Sequence, residues 1–164
     1  IMTPNMMTDI LNNNRVFITD SFDYYQNTKL MKGDNKMYCN VCKKDCDTNF
    51  RTKIFTPPKI MILILDRGDG FQYNVGLDFL PSIDITQYID KNYNKGEKAE
   101  YDLYAVLTYL GESDKAGHFI AFCKCHDSSK KWVCYNDNHV TEVIDFIGQI
   151  HNYGIPCVLF YERK

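Results

Sequence analysis

No apolar run in this 164-residue sequence approaches the ~18 residues that a membrane-spanning helix needs, and the first residues lack the basic-then-apolar pattern of a secretory leader. Helical membrane insertion and export are therefore not expected, and the cytoplasm or nucleus is the expected location. Strong charge of one sign is missing too. Nineteen Lys and Arg stand interspersed with 21 Asp and Glu for a formal net charge of -2, which gives no field to attract nucleic acid or an anionic membrane non-specifically. Neither is expected as a partner. A phosphate-cradling glycine loop, a dinucleotide fingerprint, a paired-carboxylate pattern and internal repeats are also absent. The seven cysteines are odd in number and unevenly spaced, in a chain large enough to fold without staples, so reduced thiols or metal ligands are expected rather than a disulfide framework.

What is present is the composition of a folded domain. Apolar residues make up 45 % and charged residues 24 %, enough to build one core without crosslinks or metal. One compact unit is expected, although the opening at Ile1 points to residues missing upstream. Aromatic residues at 14 % favour strands, whose half-buried pleated surfaces suit them.

Residues 1–20 read as an irregular lead-in. The spacing then predicts a short helix within 19–31, with Asp20 or Ser21 as N-cap and Phe22, Tyr25 and Leu30 on one side. A knuckle-like turn is expected at Cys39-Asn40-Val41-Cys42, followed by a strand over 50–55. The six apolar residues 60–65 read as a strand buried on both faces. Short strands or turns follow at 71–80 and 83–89, with a polar loop at 92–98. Segments 101–110, 119–125 and 132–135 predict an antiparallel meander. Thr141 is the expected N-cap of a helix with Val143, Phe146, Ile147 and Ile150 on one face, and 158–161 is a closing strand. The fold class is α+β, mainly antiparallel sheet with a few short helices.

His118 is the first candidate for chemistry. It sits between Gly117 and Phe119, where the polar loop 111–116 meets a strand, so the ring could reach solvent while the strand holds it. By spacing alone, a solvated or structurally bonded histidine is the plainer reading. Asn136-Asp137 ends the strand that begins at Trp132, and a turn near Ser128 or Ser129 would return this pair to the His118 end of the sheet. An oxygen there would fix the tautomer and orientation of an imidazole base, though Asn-Asp-Asn is also a common turn sequence.

A base so held calls for a cysteine or serine nucleophile, and no cysteine fits comfortably. Cys123, Cys125 and Cys134 fall inside expected strands, Cys157 precedes the last one, and none opens a helix, where a thiolate is stabilised. Cys39-x2-Cys42 has the spacing for two ligands of a tetrahedral zinc. Cys46 offers a third, and Cys123, Cys125 and His126 form another local group, but no second Cys-x2-Cys pair completes a four-ligand site.

Several segments, in order, carry a resemblance. They are Lys32-Gly33-Asp34-Asn35-Lys36 with Tyr38-Cys39-Asn40-Val41-Cys42, then Pro58-Lys59-Ile60 through Leu65-Asp66-Arg67. Tyr101-Asp102-Leu103-Tyr104-Ala105-Val106-Leu107 follows, with Gly111, Gly117-His118-Phe119-Ile120-Ala121-Phe122, Trp132 to Asn136-Asp137 and Val140, and Leu159-Phe160-Tyr161. From about Phe22 onward the chain resembles the ubiquitin-specific proteases, and the histidine box around His118 is the specific part. Asp66 and Gly68 depart from the usual apolar-Lys-Arg-Phe ending of the central strand, and Tyr109 stands where a histidine is frequent.

The resemblance implies a papain-like cysteine protease fold, of which this chain is the β-rich palm and fingers, the C-terminal part of a catalytic domain. It would form one partial domain over 1–164, with a zinc-knuckle-like fingers segment at 32–56 and a palm segment at 101–164. His118 would be the general base, Asn136 its orienting residue and Asp137 a neighbouring acceptor. Gly111, Gly117 and Phe119 would lie along the path of the ubiquitin tail. Cys39 and Cys42 would be half of a structural zinc site whose other pair comes from elsewhere, and the chemistry needs no cofactor. Ubiquitin, ubiquitinated proteins and the upstream part of the same protein are the implied partners. The family's nucleophile box lies in that upstream part and is absent here, so the chain alone is expected to be inactive. The alternative is a non-catalytic ubiquitin-binding or scaffold module derived from such a protease.

Overall fold

The computed structural model describes residues 15–66, 68, 76–92, 96–113, 116–127, 129 and 131–164. Most of the expected lead-in, and parts of the expected segments at 71–80 and 92–98, lie outside the described residues. In chain order β1 (Arg15–Phe17) runs into α1 (Ile18–Gln26), followed by β2 (Lys29–Met31), β3 (Met37–Cys39), β4 (Lys44–Cys46) and β5 (Thr48–Phe50). Next come β6 (Ile60–Ile64), β7 (Gly76–Asp78), β8 (Ser82–Asp84), β9 (Glu100–Ser113), β10 (Ala116–Lys124), β11 (Trp132–Asn136) and β12 (His139–Val143). The described chain ends with α2 (Phe146–Gln149) and β13 (Ile155–Arg163).

The spine is β9, whose β-branched and aromatic residues suit a strand paired on both edges. The main sheet has the order β12-β11-β10-β9-β13-β6, with β8 paired to the start of β9, and every pairing in it is antiparallel. The expected meander is therefore present, one strand longer than its sequence signal because β12 adds to it. Two small antiparallel pairs, β2 with β5 and β3 with β4, stand apart from the sheet, and β1 pairs in parallel with β7.

One face of the sheet packs the core. Leu103, Val106, Phe122, Leu159 and Tyr161 are fully or almost fully buried there. The Phe146 ring lies 4.6 Å from Phe122 and 4.4 Å from Trp132, and Tyr153 is 5.0 Å from Phe122, so one aromatic cluster ties β10, β11 and the region of α2 together. Such clusters add about 0.5–1.5 kcal/mol per ring pair beyond simple area burial.

The other face is also apolar. In register across six strands run Ile64, Val158, Leu107, Ala121, Tyr135 and Val140. Ile64 is 78 % exposed and Val140 60 %, and no described element covers the row. This corrects the expectation of a strand over 60–65 buried on both faces. Met61 is buried, yet Ile60, Ile62 and Ile64 are exposed, because β6 is an edge strand whose alternate side chains reach the uncovered side.

Both expected helices are shifted. The N-cap of α1 is Phe17, ahead of the expected Asp20 or Ser21, and the carboxylate of Asp20 accepts the Phe17 N–H at 3.0 Å from the third helical position instead of capping from its own. It stops at Gln26 because Asn27 is extended, which frees Lys29–Met31 to pair with Thr48–Phe50. Thr141 caps no helix; it lies in β12 opposite Cys134, and α2 begins only after Asp145, whose side chain accepts the Gly148 N–H at 3.3 Å. The expected strand over 50–55 ends at Phe50, and Ile54 instead makes a single bridge to Ile89. The closing strand is longer than expected and includes Cys157.

Candidate active site

Antiparallel register brings His118 and Asn136 together. Ala121 sits opposite Tyr135 on β10 and β11, so three residues further up β10 the ring of His118 meets the end of β11. His118 Nε2 lies 2.7 Å from Asn136 Oδ1, a hydrogen bond in which the ring N–H donates to the carboxamide oxygen. Asp137 Oδ2 is 3.7 Å from the same nitrogen, on a half-exposed to exposed pair of side chains. With Nε2 carrying the proton, Nδ1 keeps its lone pair and is the nitrogen able to accept a proton from a reactant.

Asp137 adopts a left-handed backbone, φ 50°, in the tight connection from β11 to β12, where Asn136 pairs with His139. Asp and Asn tolerate that conformation better than other side chains. The Asn-Asp-Asn segment is thus both a turn and half of the contact, so the two sequence readings hold together.

Gly111 and Gly117 lie in β9 and β10, not in a loop as expected; the strands run on to Ser113 and resume at Ala116, with an irregularity in register between Ala116 and His118. Neither glycine has room for a side chain. A Cβ on Gly111 would stand 2.7 Å from Tyr109 Cε1 and 2.8 Å from the Ala116 carbonyl, and one on Gly117 would overlap the Tyr109 ring. Phe119 is exposed and packs its ring 4.9 Å from that of Tyr109.

No thiol completes the pair among the described residues, since the polar partners of His118 are Asn136 and Asp137. None of the seven cysteines is in a disulfide. Cys123 is in β10, Cys125 just beyond its end and Cys134 in β11. Burial pushes the thiols of Cys123 and Cys134 above their ordinary value, the reverse of what an attacking thiolate requires.

The cysteines of the β3–β4 hairpin do converge. The Sγ atoms of Cys39, Cys42 and Cys46 lie within 4.8 Å of one another. The Cys42 N–H points at Cys39 Sγ at 3.4 Å, and Lys43 turns the chain with φ 58°. Hydrogen bonds from the backbone N–H groups of Cys42 and Val41 hold the Cys39 thiol below its ordinary value, whereas burial first, and then Cys42 and the charge of Cys39, push Cys46 up. This donor set fits a soft, thiolate-preferring cation such as zinc with three ligands from one hairpin. Cys46 is the ligand that the Cys-x2-Cys spacing alone leaves out.

Residues 11–161 match the family model described as ubiquitin carboxyl-terminal hydrolase. The chain belongs to that family. It is similar to ubiquitin carboxyl-terminal hydrolase Usp2 of Drosophila melanogaster, 29 % identical over 148 residues that cover 86 % of this chain and 15 % of the relative. With ubiquitin carboxyl-terminal hydrolase 25 of Arabidopsis thaliana it shares 25 % identity over 127 residues, 76 % of this chain and 19 % of the relative. The chain therefore spans less than a fifth of the length of either. Among solved structures it is similar to the SAGA Ubp8/Sgf11/Sus1/Sgf73 DUB module bound to ubiquitin aldehyde, with a TM-score of 0.70 at 20 % identity over 92 % of this chain and 35 % of that one. That likeness is one of fold, the sheet-rich α+β, papain-like architecture expected from the sequence.

Proposed function

We propose that this chain is the histidine-bearing, C-terminal part of a deubiquitinating cysteine protease, which hydrolyses the peptide or isopeptide bond after the C-terminal glycine of ubiquitin. The observation that carries this reading is the 2.7 Å contact of His118 Nε2 with Asn136 Oδ1 in a chain of the ubiquitin carboxyl-terminal hydrolase family. Asn136 holds the ring so that Nδ1 takes the proton of a cysteine thiol. The thiolate attacks the scissile carbonyl, the leaving amine departs with the proton returned by His118, and water hydrolyses the acyl-enzyme. Asp137 faces the imidazolium while it is charged, an exposed interaction worth little by itself. In this reading the extended diglycine tail passes the backbone of Gly111 and Gly117 and the exposed ring of Phe119.

The thiol comes from the rest of the same polypeptide. Supporting this are the lack of a thiol among the polar partners of His118, the short span of the chain relative to its relatives, and the apolar row from Ile64 to Val140, which a further part of the domain would cover. In the same reading 101–164 is the palm segment and 32–56 the fingers, with Cys39, Cys42 and Cys46 holding a structural zinc whose remaining ligand lies elsewhere. The reduced thiols suit the cytoplasm or nucleus. The missing thiol is also what a non-catalytic ubiquitin-binding module would show; the His118–Asn136 contact favours the protease.

The 164-residue chain alone is expected not to release the fluorophore from a ubiquitin C-terminal amide, while the protein with its upstream part does so and is stopped by a thiol-directed ubiquitin probe. Turnover by the 164-residue chain with every cysteine replaced by serine would overturn the reading.

A further inference from the structure

Tyr109 is only 4 % exposed, although it stands near the open end of β9, and three glycines crowd around it. Its ring fills the space in front of both Gly111 and Gly117, and its carbonyl oxygen would lie 2.5 Å from a Cβ on Gly154. Gly154 has φ 96° and leads into β13, whose first residue, Ile155, pairs with Tyr109. On the other edge Tyr109 pairs with Phe119, and the 57 % exposed Phe119 covers the ring from solvent at 4.9 Å. One side chain thus spans from β9 to the backbone immediately before His118.

We propose that Tyr109 is the positioning residue of this site: its ring, wedged against Gly111 and Gly117, sets the height of the β10 backbone at Gly117 and through it the ring of His118 over Asn136. The inference rests on reading His118 as the base and adds the residue that holds it in place. Gly117 precedes His118 directly, so a shift of its backbone moves the imidazole before any other catalytic group. Hydrogen-bond geometry degrades over a few tenths of an ångström at 2.7 Å, and the tautomer of His118 is fixed by that bond. Gly111 and Gly117 are glycines here because an aromatic ring occupies the volume of their side chains, a reason independent of any contact with substrate.

The test uses nitrogen-15-labelled histidine in the 164-residue chain and turnover by the protein with its upstream part. In the wild type His118 should give the signal of a single Nε2-protonated tautomer. Tyr109→Phe keeps the ring and should retain a single Nε2-protonated tautomer at His118. Tyr109→Leu should mix the tautomers and lower kcat tenfold or more with KM within threefold, while the chain still melts cooperatively. Gly117→Ala should disturb the His118 signal beside Tyr109 and do so less beside Tyr109→Ala, where the ring no longer opposes the new methyl. Identical His118 signals in the Tyr, Phe and Leu proteins would overturn the proposal. If Tyr109→Leu does not fold, an unchanged His118 signal in Gly117→Ala alone overturns it. A His118 signal that responds to Tyr109, together with turnover indifferent to His118→Ala, would instead sink the protease reading and leave the positioning contact standing.

Discussion

The His118 end of the main sheet and the Cys39–Cys46 hairpin both gather chemistry-bearing side chains, but by different means. His118 and Asn136 are 18 residues apart and meet because β10 and β11 pair in one register, backed by the fully buried Phe122 and its aromatic neighbours. The three cysteines lie within eight residues of one another and meet through a local turn, in a hairpin with no buried residue and with Val41 91 % exposed. A site built on register stands or falls with the whole fold, whereas a site built on a turn depends on what it binds.

That contrast can be broken. Phe122→Ala should cost about 3–5 kcal/mol of stability, as buried aromatic truncations do, and should weaken the His118–Asn136 contact in the same step. Urea unfolding followed by circular dichroism measures the first and the His118 resonance the second; loss of less than about 1 kcal/mol would detach the site from the core. Asn136→Ala should lower kcat roughly a hundredfold at little cost in stability, within the range of general acid–base effects, and Asn136→Asp should recover part of it. Cys42→Ser should abolish the thiolate-to-metal absorption of a cobalt-substituted hairpin while the melting of the main sheet stays put. A shared loss of both would show the hairpin to be integral to the fold.

Smaller effects sharpen the comparison. Tyr88, buried against α1 and donating to Asp23 at 2.9 Å, has its hydroxyl pushed up to about 12, by burial first and by Asp23 second. Its ordinary value is 10.0. A raised folded-state value favours the protonated form, so this stability is intact below pH 10 and is lost as the pH rises toward 12. Tyr88→Phe should flatten the alkaline arm of a stability-against-pH curve. Val41→Ser, at the hairpin tip, should change stability by no more than about 0.5 kcal/mol.

The meander and the pairing of His118 with Asn136 were legible in the sequence because period-two alternation and hairpin length jointly set a register. Where local signals met long-range pairing, they lost. The 3.6-residue pattern from Val143 competed with β12, whose residues 139–143 pair with β11, and the helix was left only a short piece after Asp145. The all-apolar run at 60–65 looked doubly buried because its exposed isoleucines carry the signal of a covered face that none of the described residues covers. Cys46, offered by the sequence as a third ligand, joins Cys39 and Cys42 by way of the β4 return strand. Tyr109 stood out in the sequence only as a departure from a frequent histidine, and only the register of β9 against β10 places two glycines on its ring.

The central assignment is His118 as the base oriented by Asn136. The direct measurement is turnover of a ubiquitin C-terminal amide by His118→Ala in the protein that includes its upstream part, alongside ubiquitin affinity. A loss of turnover of about a hundredfold or more, with ubiquitin Kd within about twofold, is the predicted result. Turnover equal to that of the unaltered protein would contradict it.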